Sequence, residues 1–413
     1  MRLRAVAVTA LLSLVTGCAR SAPPPDTSGD RALAATVHAY VVEFLRRNPT
    51  TNTYLGGAGL DPALHDVDGA LRDHSSAALA AEDQWLTATQ ASLTAMSPAT
   101  LSHGSRIDRD VALAQIAFQL RQHQTRRYQE RAVDTYVLEP FRAIDWQLQG
   151  MAATGASTYG REDEWALVER RVLAIPGFLR TAAAQLAAGA ASGRVPDPRM
   201  IRRDGIGSAE STAAYFRDTL PVLAAARVSG PSREATVTRL RTASRAAAAS
   251  YLAFRDTVAA LYFTDRTARV LQPRFAADAY VMGEAEYDWA LANNFRLTTR
   301  AATLYDEAWP VVQQTQARMI EVARAIGVAR GWTLPADGGQ AVRAVFDQLS
   351  KDAPKSDAEM IGWYRDAAFR LVDFARKTRL FAVPSDYRLD VVVTPPPLEA
   401  SIDGASYYPD RKS

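Results

Sequence analysis

Lysine is nearly missing from this chain: among 413 residues and 48 basic side chains it occurs only as Lys351, Lys355, Lys377 and Lys412. The remaining basic charge is arginine, offset by 45 acidic residues to a net charge of +3. No arginine-dense block is interleaved with aromatics, which excludes a nucleic-acid surface as a partner. Cysteine occurs once, as Cys18, so no intramolecular disulfide can form. Histidine stops early: His38, His65, His74, His103 and His123 are all there are, and none begins a His-Glu-x-x-His run. A zinc-peptidase helix needs two histidines one turn apart with a glutamate between them, so that chemistry has no ligands here. The Gly-x-Ser-x-Gly elbow of a serine hydrolase and the glycine-rich phosphate loops are also missing. No period of twenty to fifty residues recurs, which argues against a solenoid.

What the N-terminus does contain is organised. Arg2 and Arg4 precede an apolar stretch from Ala5 to Val15 that is too short to span a bilayer, and Val15-Thr16-Gly17-Cys18 follows. This reads as a lipoprotein signal over residues 1–18 with Cys18 as the acylated residue, its lipid chains anchoring the mature protein in a membrane. Residue 19 is alanine, not the aspartate associated with inner-membrane retention. The expected location is therefore the cell envelope, on the outer membrane facing the periplasm if the host is Gram-negative. Residues 19–31, rich in proline and small polar residues, form a tether.

From residue 32 to 383 the apolar residues recur at three and four, the period of a buried helix face. The longest such pattern, in the segment 283–326, places Ala301, Leu304, Tyr305, Ala308, Val312, Met319, Val322, Ala323 and Ile326 on one side. Thr298 or Thr299 is positioned to cap it, and Pro310 predicts a kink or a short break near Trp309. Glu139-Pro140 predicts a break further upstream. In 356–377, Met360, Trp363, Tyr364, Ala367, Leu371 and Phe374 make another buried face. The one β-branched, alternating run is 388–394, ending at Pro395 to Pro397, and residues 384–413 form a separate C-terminal piece. The chain is thus predominantly all-α with one short β segment near its C-terminus.

Several polar groups could pass for sites. His65, Asp66, Asp68, Asp73 and His74 lie close together, but their spacing fits loop turns and helix caps better than zinc. His123 reads as a solvated surface histidine. Glu284, Glu286 and Asp288, and the pair Asp306 and Glu307, read as solvated helical charge.

Four phrases resemble a known family. They are Asn48-Pro49-Thr50-Thr51-Asn52-Thr53-Tyr54-Leu55-Gly56, the segment Arg170 to Leu179 (RRVLAIPGFL), Gly283 to Trp289 (GEAEYDW), and Pro397 through Tyr407-Tyr408-Pro409. Together they resemble the bacterial domain-of-unknown-function 885 family over roughly residues 32–409. Its members look like helical zinc metallopeptidases, with the HExxH helix in their C-terminal part. The resemblance implies that residues 397–409 lead towards a catalytic region, that Tyr407 and Tyr408 border a substrate cleft, and that the ligand is a peptide. Zinc is expected only with that further region, so no catalytic, metal or cofactor residue is assigned within this chain. The expected function is an envelope lipoprotein resembling the non-catalytic helical part of the family and inactive alone. The alternative is an anchored binding or scaffold protein.

Overall fold

The computed structural model describes residues 27–154, 160–267, 269–277, 281–385, 387, 389 and 391–394. Among them the fold is all-α, with a single two-stranded antiparallel ribbon, β1 (Phe263–Asp265) and β2 (Val270–Leu271). The N-terminal helices are α1 (Asp30–Arg47), α2 (Pro49–Leu55), α3 (Ser76–Ala95) and α4 (His103–Leu120). Each start signal has a physical basis: Pro49 opens α2 with its ready-set φ, and the Ser75 hydroxyl accepts a bond from the Ala78 amide at 3.2 Å to cap α3. Leu33, Tyr40, Leu86, Leu93, Ala112 and Ile116 from α1, α3 and α4 form a small core of their own.

The larger core is built by α5 (Val133–Thr154), α6 (Glu162–Ala191), α7 (Pro198–Arg202), α8 (Ala209–Ala214), α9 (Leu220–Arg227) and α10 (Arg233–Tyr262). The central pair is α6 against α10, where small residues such as Ala182, Ala243 and Ala247 let the helices approach closely. Around them Tyr136, Phe141, Trp165, Phe216 and Tyr251 are almost fully buried. By length and composition α6 could cross a membrane, but here it is a core helix with the fully buried Arg171 near its middle.

After the ribbon come α11 (Glu284–Asn293), α12 (Ala301–Arg330), α13 (Gly338–Leu349) and α14 (Asp357–Thr378). We call α1 to α10 the body and α11 to α14 the arm. α12 and α13 pack on each other, and α11 carries the contact with α4 in the body.

The structure corrects several sequence expectations. The β segment is the 263–271 ribbon that closes α10. Among the described residues Val391–Thr394 join no ladder. No break occurs at Pro140, since α5 runs through it, and α12 is likewise unbroken at Pro310, each long enough on both sides to offset one missing backbone bond. Neither Thr298 nor Thr299 caps α12; the Asp288 carboxylate, reaching back from α11, accepts the Ala301 amide at 2.6 Å. The largest correction concerns the arm's apolar faces. In α12 only Ala323 and Gly327 are buried, while Tyr305, Val312, Met319 and Val322 are exposed. Met360, Trp363, Tyr364, Leu371 and Phe374 of α14 are exposed as well. Among the described residues no part of the body covers those faces, so the helical period is present there without the burial it usually accompanies.

Candidate functional site

Arg171 is on the apolar face of α6, in phase with Val168, Ile175 and Phe178, and is fully buried. A guanidinium can be kept there only if its donors find acceptors. Its Nε donates to the Ala70 carbonyl at 2.9 Å, and one Nη to the Ala143 carbonyl at 2.8 Å and to Gln147 Oε1 at 3.2 Å. The other Nη donates to the Thr53 hydroxyl at 2.9 Å and faces the Pro49 carbonyl at 3.5 Å. Burial lowers the Arg171 pKa to about 10, against the pull of Asp68 and Glu139, and the group stays cationic at neutral pH.

Around this hub, the residues of the Asn48–Gly56 phrase are used one by one. The Thr53 hydroxyl donates to Asp68 Oδ1 at 2.5 Å, and Asn52 Nδ2 donates to the same oxygen at 2.9 Å and to the Leu64 carbonyl at 3.2 Å. Gly57 must be glycine, because a Cβ there would overlap Asn52 Oδ1. Asn48 Oδ1 accepts from Arg72, whose second Nη donates to the buried Glu82 at 2.9 Å. Thr50 donates to Glu139 Oε1 at 3.3 Å, and the other Glu139 oxygen lies 3.4 Å from His74 Nε2. The His74 ring sits edge-on to Tyr136 and Phe178, and its own carbonyl accepts from Gln185 at 2.7 Å. The arrangement ties α2 and the 62–74 loop to α5 and α6. Its chemistry is that of a brace.

The five clustered residues of the 65–74 loop go to separate places. His65 faces Asp66 at 3.3 Å and Asp163 at 3.9 Å, Asp73 caps the Ser75 amide at 2.8 Å, and Asp68 and His74 belong to the brace. Among the described residues no three histidine, cysteine or acidic side chains are grouped as a metal would require. His123 is not a free surface residue: its Nδ1 meets Asp83 at 2.8 Å and it is mostly buried. Nor are Glu286 and Asp288 idle charge. Glu286 pairs with Arg121 at 2.8 Å and Arg126 at 3.8 Å, Arg121 lies over the Trp289 ring at 4.8 Å, and Asp288 caps α12. These contacts form the joint between body and arm. Cys18, Tyr407 and Tyr408 lie outside the described residues.

Sequence reasoning passed over two further carboxylate environments. Burial pushes Asp145 up to about 6, with a 2.8 Å bond from Gln149 acting in the opposite direction. Asp134 is raised by burial and by the nearby Asp204, which itself is bound by Arg203 at 2.8 Å. The Tyr128 phenol beside it is pushed to about 12, by burial and then by Asp134. Glu130 is buried, which favours its neutral form, but bonds from Arg194 and Arg127 outweigh that and hold it low. Arg171 could have been found in sequence, as an arginine in phase with the apolar Val168, Ile175 and Phe178. The Asp134 and Asp204 approach could not, since it depends on how α5 meets the 203–208 turn.

The model of a family described as a bacterial protein of unknown function, DUF885, matches residues 49–412. A solved structure, a candidate lipoprotein of unknown function from Shewanella oneidensis, is similar in fold, with a TM-score of 0.56 at 18% identity. The match covers 86% of this chain and 59% of that one, so the chain spans about three fifths of the length of that relative. No match is found among curated proteins.

Proposed function

This chain belongs to the DUF885 family of bacterial proteins, and from that premise we propose that it serves as a helical, non-catalytic scaffold of a lipid-anchored envelope protein. The carrying observation is the brace. The residues through which the sequence resembles the family at 48–56 and 170–179 close on Arg171, Asp68 and Glu139, and hold helices together. His74, the histidine nearest this centre, faces Glu139 and is wedged between two aromatic rings. Zinc hydrolysis needs ligands that leave one position of the ion open to water, and the sequence supplies no His-Glu-x-x-His helix for it. The lipobox at Cys18 and the described nature of the Shewanella oneidensis relative support the anchor and an envelope location.

The test uses the chain from Cys18 to Ser413. Metal analysis is expected to find no stoichiometric zinc, and peptidase assays no chelator-reversible turnover. Mass analysis of the protein expressed with its leader is expected to find an acylated N-terminal Cys18. One tightly held zinc per chain with chelator-reversible cleavage overturns the non-catalytic reading; unlipidated protein cut elsewhere overturns the anchor.

A further inference from the structure

The chain enters the fold at one end of the small bundle made by α1, α3 and α4. α1 and α4 both begin there: the Gly29 amide donates to the Thr100 carbonyl and the Ser102 amide to Asp30 Oδ1, each at 2.9 Å. α3 ends there, and its Leu93 and Thr94 carbonyls accept from Arg109 of α4 at 2.9 and 3.3 Å. Towards the opposite end, Gln119 of α4 donates to the Tyr40 hydroxyl of α1 at 2.9 Å, and His123 just past α4 meets Asp83 of α3 at 2.8 Å. The brace and the joint are attached at that opposite end: α1 runs into Asn48, α3 follows His74, and α4 leads to Arg121. We propose that the entry end, made of Arg31, the 96–103 turn and the first turns of α4, is the surface that stands on the membrane and contacts phospholipid headgroups. This deepens the reading of Cys18 as a lipid anchor and rests on it.

Reach selects the bilayer as the partner of this end. Only residues 19–28 separate Cys18 from Gly29, a length of chain that spans roughly 35–40 Å fully extended and roughly 20 Å as a flexible coil. α4 alone, with 18 residues, is about 27 Å long. The mean tether is thus shorter than the bundle, and the end that carries it stays nearer the bilayer than the brace or the joint. Charge agrees. Arg31 and Arg106, in the first turns of α1 and α4, are exposed and have no ion-pair partner among the described residues. The partial positive ends of both helix dipoles point the same way, and anionic headgroups attract basic side chains at a membrane surface. Of the acids nearby, Asp30 is engaged by the Ser102 amide, Asp110 faces Arg109 at 3.2 Å, and the exposed Asp108 lies further along α4. Beside the basic edge, Ile107 and Val111 form an i,i+4 pair that is half exposed, while Ala112 and Ile116 of the same helix fill the bundle core. An apolar pair next to basic residues is suited to the interfacial layer of a bilayer.

The experiment couples the chain from Cys18 to Ser413, through its only thiol, to a maleimide phospholipid in vesicles of phosphatidylethanolamine and phosphatidylglycerol. Because the lipid is supplied chemically, orientation is read whether or not a cell acylates Cys18, and failure of the anchor itself shows only in the mass analysis above. Hydroxyl-radical footprinting then compares the coupled chain with the same chain, thiol-blocked, beside the vesicles. Oxidation of Met96 and Ile107 is expected to fall by about twofold or more on coupling, while Leu173 in the main core and Met319 and Met360 in the arm keep their uncoupled rates. Arg31→Glu combined with Arg106→Glu should remove about half or more of that protection, since it reverses the charge that meets the headgroups. Equal protection of Met319 or Met360 overturns the proposal, because the arm then lies on the bilayer. An unchanged footprint overturns it as well, because the body then turns freely on its tether or the entry end is already covered by the chain itself. So does a double variant protected as fully as the parent, since the two arginines then make no contact.

Discussion

α10 and α12 are both thirty residues long, and both carry apolar residues at helical spacing, yet α10 buries twelve of its residues and α12 two. The difference is in what surrounds them. α10 lies between α6, α8 and α9, and its small residues Ala243, Ala247 and Ala248 admit close neighbours. α12 has α13 along one side and α11 at its start. Helical period therefore reports that a helix has a face to cover, and leaves open which chain covers it. In the body that cover is intramolecular. In the arm the described residues supply no such cover, and the arm is held to the body through the Arg121–Glu286 pair and the Arg121–Trp289 contact.

If the body is a cooperative core and the arm an appendage to it, damage in the two regions should differ in size. Arg171→Ala should have the largest effect, because it leaves Thr53, the carbonyls of Ala70 and Ala143, and the Asp68 charge without their buried cation. Removing one member of a buried, hydrogen-bonded ionic cluster costs about 3–5 kcal/mol. Denaturant titration should show that loss, and Arg171→Lys should recover little, since an ammonium cannot reach acceptors arranged for a planar fork. A near-neutral Arg171→Ala would mean that the brace is not what ties α2 to α6. Next comes Leu186→Ala in the main core, expected to cost about 2–5 kcal/mol for the lost transfer energy and the cavity left behind.

Asp145 offers a pH test confined to the body. Its folded pKa, near 6, lies above the ordinary aspartate value of 3.8, so between those values the folded chain binds more protons than the unfolded one. Stability should then fall as pH rises from about 4 to about 6 and stay lower above that, by about 2–3 kcal/mol in all. Asp145→Asn should flatten this limb of the stability-versus-pH curve. An unchanged slope in the variant would assign the limb to other groups. At the joint, Arg121→Ala removes a partly exposed ion pair and a cation–π contact, each worth about 0.5–1 kcal/mol. The expected readout is faster amide exchange in α11 with the exchange of α6 and α10 unchanged. Equal acceleration in all three helices would show that body and arm unfold as one unit.

How much of this was legible beforehand follows the same division. The helices of the body and the all-α class could be read from spacing, because there local pattern and tertiary packing agree. The brace was only half legible. The Asn48–Gly56 and Arg170–Leu179 phrases stood out, but that they meet at Arg171 is a long-range contact across more than a hundred positions. Glu286 and Asp288 looked like solvated charge because their partners, Arg121 and the Ala301 amide, come from just past the end of α4 and from beyond a loop. Of the strand expected at 388–394, the described Val391–Thr394 have a strand's composition yet join no ladder among the described residues, a condition composition cannot report.

The smallest expected effect is also the sharpest probe of the contrast. Leu371 on α14 is 67% exposed and Leu186 on α6 is fully buried, although both belong to an apolar helical stripe. The free energy of burying a leucine scales with the area removed from water, so a residue that stays in water in the single chain contributes little to its folding. Leu371→Ala should accordingly change the unfolding free energy of the single chain by no more than about 0.5 kcal/mol, while alanine's helix propensity leaves α14 intact. The measurement must be made at dilution, because any partner that binds the folded arm raises apparent stability by mass action. A loss at high dilution comparable to that of Leu186→Ala would mean that α14 is covered within its own chain, and the distinction between body and arm would fail.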